Sequence, residues 1–202
     1  MPLPNRVDPF ARIEAVPARG LFMGNRGGCF HRDDQSLRPT HWAGGGWIIC
    51  RLNWRGRKRA LMQPGLYTEL FFLDEAVALA AGHRPCFECR IQDARAWMAA
   101  ARQASAKAAD AELQSEMKPL LRPKATAQRE ICAPIDLPDC AFFAHEGAAF
   151  LKSGSSAYHF SWDGYGPASP LPQQGLRLTP KLACTVLKNG YRPVLHQSFQ
   201  TG

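Results

Sequence analysis

Residues 67–90 read YTELFFLDEAVALAAGHRPCFECR, and this stretch decides the fold. Its first seven residues are aromatic or apolar around one polar pair, which is typical of a mostly buried strand. Asp74 stands at the N-cap position of a short helix whose apolar residues recur on one face, and Gly82 ends that helix as a left-handed residue. Because Pro85 prevents the helix from resuming, the stretch predicts a strand, a short helix and a sharp stop directly before two cysteines.

Cys86 and Cys89 form a Cys-x-x-Cys pair, a spacing at which two thiolates bind one metal ion. The same spacing occurs in redox-active pairs, which place the first thiol at a helix N-terminus. Here the preceding helix directs its C-terminus at the pair, and that end disfavours thiolates. A second helix beginning at Cys89 would restore the redox alternative, which stays open. The local pattern favours a metal site.

Length and composition limit the class of protein. A chain of 202 residues and 22.3 kDa can bury a hydrophobic core. It contains no run of about 18 apolar residues, which predicts no transmembrane helix. The N-terminal residues lack the apolar core of a secretory signal, and seven cysteines do not form the dense, even set of a secreted disulfide scaffold. We therefore expect a reducing, cytoplasmic location and no membrane partner.

The positive charge is concentrated in the first third of the chain. The net charge is +8, and residues 1–60 carry 11 Lys and Arg against four Asp and Glu. A basic segment interleaved with an aromatic residue suits phosphates and stacked bases. It predicts a nucleic-acid-binding, most simply DNA-binding, surface at Arg51, Trp54, Arg55, Arg57, Lys58 and Arg59. A solvated basic hairpin loop, or a site for another anionic partner, are the alternatives.

The periodicities predict an α+β protein of three parts. Residues 1–90 form a small, zinc-stabilised, β-rich module with one short helix and an extended, proline-rich N-terminal arm. Residues 91–135 form a longer central helix and a linker, because strong helix formers dominate their first part. Residues 136–202 form an antiparallel β portion that packs on the rest and ends in a helix, with a long Gly- and Pro-rich loop expected at residues 163–175.

A structural zinc site takes four ligands, so Cys86 and Cys89 need two more. Cys50 lies on a predicted strand that can pair with the strand before the short helix. Cys29 and His31 are two residues apart, so on a strand they point to the same side. We predict a zinc site formed by His31, Cys50, Cys86 and Cys89, with Cys29 as the alternative to His31. The competing interpretation is a buried free thiol at Cys50 and a hydrogen-bonded core histidine at His31.

Three segments together resemble the zinc module of the Ada DNA-repair family and its short single-domain relatives. They are MGNR at residues 23–26, His31, and FFLDEAVALAAGHRPCFEC at residues 71–89. The resemblance covers about 70 of 202 residues. It implies a four-ligand zinc site, although those relatives place their first two ligands four residues apart and this chain has Gln35 at the corresponding position.

The resemblance also implies a chemistry. In Ada, a zinc-bound thiolate accepts a methyl group from a DNA phosphotriester, and by position this role would fall to Cys50 or Cys29. If His31 is the first ligand, the acceptor position is lost. We therefore expect a zinc-binding protein that binds nucleic acid and assign no catalytic residues. The alternatives are an enzyme with its site between the zinc module and the C-terminal portion, and a basic protein–protein adaptor.

Overall fold

The strand and the helix expected in residues 67–85 lie at the centre of a mixed sheet. The computed structural model describes residues 1–56, 60–124 and 127–199. Its first elements are β1 (Arg6–Val7), β2 (Ile13–Glu14), β3 (Phe22–Arg26), β4 (Trp47–Arg51), β5 (Leu70–Phe72), α1 (Glu75–Ala80) and β6 (Arg84–Pro85). The strand order is β2-β1-β5-β3-β4-β6. β1 runs parallel to β5 and β6 parallel to β4, and the other neighbours are antiparallel.

Helix α1 has the ends that the sequence predicts. The Asp74 carboxylate accepts a hydrogen bond of 3.0 Å from the backbone N–H of Val77. Gly82 follows the helix with φ +83°, a left-handed conformation that glycine adopts without steric cost. All six residues of α1 are buried, so the helix is an interior element behind the sheet.

The N-terminal arm adds two short strands to one edge of the first sheet, with β2 outermost. The backbone N–H of Phe71 donates to the carbonyl of Asn5 at 2.8 Å, and Arg6 pairs with Phe71 in the parallel register. The arm then turns back, so that Ile13 pairs with Val7. The prolines that flank these short strands restrict the arm to the sheet edge, where the ladder needs few donors.

The central helical segment expected after residue 90 is divided into two helices, α2 (Ile91–Ala101) and α3 (Ala106–Leu121). Arg102 adopts φ +53° and ends α2 as a left-handed cap. Ser105 then begins α3, and its hydroxyl accepts a hydrogen bond of 3.2 Å from the backbone N–H of Ala108. The alanine-rich segment is therefore divided into two helices by the left-handed cap at Arg102 and the new N-cap at Ser105.

The C-terminal portion is an antiparallel sheet that ends in a helix, as expected. It contains β7 (Ile131–Cys132), β8 (Phe142–His145), β9 (Ala148–Ser153), β10 (Ser156–Ser161), β11 (Gly164–Pro170), β12 (Gly175–Arg177) and α4 (Lys181–Lys188). The order is β11-β10-β9-β8-β12-β7. The long loop expected at 163–175 is largely strand β11. Its prolines are tolerated because β11 is an edge strand with one neighbour.

One hydrophobic cluster joins both sheets, and Phe72, Leu79 and Phe142 all belong to it. Across the described residues, four helices and two six-stranded sheets give the α+β class that the sequence predicts. The division of the chain at residues 90 and 135 stays a prediction.

Candidate metal centre

Two neighbouring parallel strands bring Cys50 and Cys86 together. Ile48 pairs with Arg84 and Ile49 with Pro85 across β4 and β6. Cys50 and Cys86 are the next residues along these two strands. The backbone N–H of Cys86 donates to the carbonyl of Ile49 at 2.9 Å. The two side chains therefore leave adjacent strands at the same level of the sheet.

A tight turn brings Cys89 back to the same place. The backbone N–H of Arg90 donates to the carbonyl of Cys86 at 3.0 Å, which closes the turn just before α2. Backbone N–H groups also point at the sulfurs. That of Glu88 lies 3.3 Å from Sγ of Cys86, and that of Arg51 lies 3.5 Å from Sγ of Cys89. Such donors stabilise thiolates.

Cys50, Cys86 and Cys89 form one group, which we call the tri-cysteine cluster. Their sulfur atoms all lie within 4.8 Å of one another, and no further histidine, cysteine or carboxylate of residues 1–56, 60–124 or 127–199 joins them. Cys86 and Cys89 are buried and Cys50 is partly buried. All three thiols are free of disulfide bonds.

The three thiols share protons. Hydrogen bonding from Cys50 and Cys89 lowers the pKa of Cys86. The hydrogen bond that Cys50 gives to Cys86 raises the pKa of Cys50, because losing that proton would leave two adjacent negative charges. A cation among the sulfurs would remove this penalty, and a group of this kind therefore couples deprotonation to metal binding.

A buried ion pair holds the turn of the tri-cysteine cluster against the core. The guanidinium of Arg90 donates to the carboxylate of Glu75 at 2.9 Å and to that of Asp93 at 2.8 Å. The Tyr191 hydroxyl donates to Glu75 at 2.6 Å, and the backbone N–H of Val194 donates to it at 3.0 Å. Sequence reasoning missed this network, since its members are up to 119 residues apart.

The structure places the other two predicted ligands elsewhere. His31 is buried, with Nδ1 at 2.8 Å from the Thr68 hydroxyl and Nε2 at 3.2 Å from the carbonyl of Gln63. The sulfur of Cys29 lies 3.8 Å from Nδ1 of His31. Cys29 and His31 are thus near each other but outside the tri-cysteine cluster.

A pocket of about 440 Å³ adjoins the tri-cysteine cluster, and we call it the metal-side pocket. All three cysteines line it. Its other walls come from β3, β4, β5 and the segments around them, and they are Met23, Asn25, Ile48, Arg51, Leu52, Trp54, Leu61, Tyr67, Glu69, Phe71 and Glu88. In the sequence, only Trp54, the aromatic residue within the basic segment, indicated a binding surface in this region.

Two described residues of the predicted nucleic-acid segment, Arg51 and Trp54, line this pocket. Arg51 ends β4 and is exposed. The guanidinium of Arg55 lies 5.2 Å from the ring centroid of Trp54, in cation–π contact. Arg57, Lys58 and Arg59, the rest of the predicted segment, lie outside the described residues.

A second pocket, of about 450 Å³, lies between the N-terminal arm and the second sheet. Its walls include Asp8, Arg12, His159 and Trp162. This is the location that the enzyme hypothesis requires. Arg12 and Asp8 form an ion pair with each other at 2.8 Å, and Glu14 is the third charged residue of the wall. The tri-cysteine cluster does not line this pocket.

Comparison of the chain with protein-family models, with curated proteins and with solved structures found no match. The resemblance to the Ada zinc module therefore stays a prediction. Among the described residues, the helices are too short or too polar to span a bilayer.

Proposed function

We propose that this protein binds one zinc ion through Cys50, Cys86 and Cys89. One observation carries the proposal: three thiol sulfurs from two strands and a tight turn lie within 4.8 Å of one another. Two of these cysteines are nearly buried, and their sulfurs accept backbone N–H hydrogen bonds. Cysteines that serve only to pack a core need not lie close to one another, and their sulfurs need not accept backbone N–H hydrogen bonds.

The donor set fits zinc in size and chemistry. Zn–S bonds of about 2.3 Å in tetrahedral geometry place the sulfurs about 3.8 Å apart. Because the observed sulfur–sulfur distances are at most 4.8 Å, zinc binding would shorten each of them by about 1 Å or less. Thiolates are soft donors that select zinc and copper(I) over magnesium or calcium, and a single three-sulfur group suits a mononuclear site. Zinc bound here would join β4, β6 and the start of α2.

No fourth histidine, cysteine or carboxylate of the described residues joins the tri-cysteine cluster. His31, the predicted ligand, already uses both ring nitrogens with Thr68 and Gln63. Ligation by His31 or by Cys29 would require this part of the chain to break those contacts and shift. We therefore base the proposal on three cysteines alone.

The proposal is tested by zinc content, measured by elemental mass analysis of purified protein. Wild type is expected to carry one zinc per chain, and Cys50→Ser, Cys86→Ser and Cys89→Ser to lose it. Cys132→Ser is the matched control, because Cys132 is a partly buried free thiol of the second sheet. Zinc-free wild type, or a reversible Cys86–Cys89 disulfide in its place, would refute metal binding and favour the redox alternative.

We propose nucleic-acid binding as a second function, on one specific observation. The cation–π pair of Arg55 and Trp54 lies in the most basic part of the chain, where an exposed guanidinium and an aromatic face are presented together. Phosphates bind to guanidinium groups and bases stack on aromatic faces, so this combination suits a single strand.

Retardation of single- and double-stranded DNA and of RNA, measured at several salt concentrations, tests this function. Phosphate binding weakens steeply with salt, whereas a small-molecule site responds little. Arg55→Ala is expected to weaken binding and to flatten the salt dependence, while Arg95→Ala, on the exposed face of α2, is the control. If no nucleic acid is retarded at low salt, the enzyme or the adaptor hypothesis takes its place.

A further inference from the structure

One face of the first sheet is covered by the core and the other bears the metal-side pocket. Along β3 and β4 the buried residues alternate with partly exposed ones. The partly exposed set, which continues into β5, consists of Met23, Asn25, Ile48, Cys50 and Phe71, and all of these line the pocket. The second face of the sheet therefore forms one wall of a cavity that is lined partly by apolar side chains.

A metal ion in the tri-cysteine cluster would face this cavity, because all three cysteines line it. Zinc prefers four ligands, and sites with three protein ligands keep the fourth position for an exogenous molecule. The cavity volume of about 440 Å³ falls within the range of small-molecule sites.

We propose that the metal-side pocket binds a neutral, planar nitrogen heterocycle whose ring nitrogen takes the fourth coordination position of the metal. This inference rests on the zinc site proposed above. It specifies the class of ligand that the same site takes.

The charge of the cluster favours a neutral donor. Three thiolates around a divalent ion leave a net charge of −1, and a fourth anionic ligand would increase the repulsion among the donors. Imidazole-type nitrogens are good zinc ligands that carry no charge. The charged residues of the pocket wall, Arg51, Glu69 and Glu88, are of both signs and do not select a strongly charged ligand.

The walls favour a flat aromatic body. Trp54, Tyr67 and Phe71 contribute three aromatic side chains to the pocket, and aromatic rings pack on one another in stacked or edge-on arrangements. The indole N–H of Trp54 is buried without an acceptor among the described residues, so a second heteroatom of a ligand that reaches it would satisfy this donor. A fused azole or a purine base has this combination of ring, donor nitrogen and acceptor.

Cobalt(II)-loaded protein tests the inference, because the visible and charge-transfer bands of cobalt report the ligands in its coordination sphere. Imidazole, benzimidazole and a short single-stranded oligodeoxyadenylate serve as probes. Benzimidazole is expected to shift the bands with saturation, about tenfold more tightly than imidazole, since its second ring buries further apolar surface. A shift with benzimidazole indicates a free heterocycle, and a shift with the oligonucleotide alone indicates a base of a nucleic acid.

Matched variants assign the binding to the pocket. Trp54→Ala is expected to weaken benzimidazole about tenfold while the cobalt bands of the free protein stay unchanged, and Trp162→Ala, in the second sheet, is the control. The inference would be overturned if no probe altered the bands. It would also be overturned if the bands of the free protein changed in His31→Ala or Cys29→Ser, because the chain would then fill the fourth position itself. Equal affinity of imidazole and benzimidazole would overturn it too. Absence of thiolate-to-cobalt bands in wild type would instead refute the metal site.

Discussion

The two sheets have the same number of described strands but are built in different ways. In the second sheet, β8 to β11 follow one another as antiparallel neighbours, so each strand pairs with the next along the chain. In the first, β1 pairs with β2 and β3 with β4, but the other three pairs join strands that are not consecutive, and the two parallel pairs are only two residues long. Local pairing therefore dominates the second sheet. We expect the first sheet to depend more on contacts from outside it, and the tri-cysteine cluster lies beside one of its two-residue pairings.

Loss of the metal is expected to produce the largest difference between the sheets. Cys86→Ser removes one of three donors and should lower the stability of the first sheet, by an amount on the order of 10 kcal/mol if binding resembles that of small zinc modules. Hydrogen exchange checks this prediction. Amides of β4 and the amide of Arg84 in β6 should lose protection in the variant while those of β9 and β10 keep it. Uniform loss across both sheets would show that they unfold as one unit, and Cys132→Ser again serves as the control.

The buried ion pair between Arg90 and Glu75 gives the next largest effect. Both side chains are almost fully buried, at 2% and 1% exposure. Glu75→Ala would leave the guanidinium buried with only Asp93 as a charged partner, which typically costs about 3–5 kcal/mol. Denaturant unfolding of the zinc-loaded protein measures the change. Lys181→Ala is the comparison variant, because its ion pair with Glu130 joins α4 to the chain before β7 and both side chains are more than half exposed, at 68% and 53%. The comparison variant should change stability by about 1 kcal/mol or less.

Features with a local cause could be predicted from the sequence, and features that depend on distant pairing could not. Helix α1 is signalled by Asp74 and Gly82, within eight residues of each other. The alternation of aromatic Tyr158, Phe160 and Trp162 with polar His159 and Ser161 likewise signals a strand, which the structure has as β10. By contrast, β6 is two residues long and contains a proline, so its parallel register with β4 has no signal in the sequence. That register is what brings Cys86 to Cys50.

The same distinction applies to the candidate site. Two cysteines of the cluster were recognisable from their spacing, because both belong to one turn. His31 was selected as a ligand from its position beside Cys29 along the chain. Its partner, Thr68, lies 37 residues away, and no local pattern predicts a hydrogen bond at that distance. A buried histidine in a hydrogen bond and a metal-bound histidine have the same appearance in a sequence.

Acid should destabilise the first sheet through His83. This residue is fully buried between Phe72 and Trp47, and burial together with the nearby charge of Arg26 holds its pKa well below 6.5. The unfolded chain takes up a proton near pH 6.5 that the folded protein does not. Stability is therefore lost as the pH falls below that value, at up to about 1.4 kcal/mol per pH unit.

Urea unfolding at pH 7, 6 and 5 measures this contribution. His83→Phe should lose less stability than wild type between pH 7 and pH 5, whatever its stability at pH 7. His145→Gln provides the comparison in the second sheet, where the side chain bonds the carbonyl of Gln174 at 3.1 Å. If wild type and His83→Phe lose stability in parallel, another group is responsible for the acid sensitivity.

The smallest expected effect concerns the contact that joins the two sheets through α1. The Tyr165 hydroxyl of β11 donates to the buried carboxylate of Asp74 at 2.7 Å, and the backbone N–H of His196 donates to the same oxygen at 3.0 Å. Tyr165→Phe removes one of these donors and keeps the ring, so it should cost about 1–3 kcal/mol. Tyr158→Phe is the control, because Tyr158 is similarly buried in β10 but is not a hydrogen-bond donor to Asp74. If hydrogen exchange shows that Tyr165→Phe loosens α1 and leaves β11 protected, the cost falls on the first sheet, as its dependence on outside contacts requires. Loss of protection in β11 alone would place it in the second sheet and contradict that dependence.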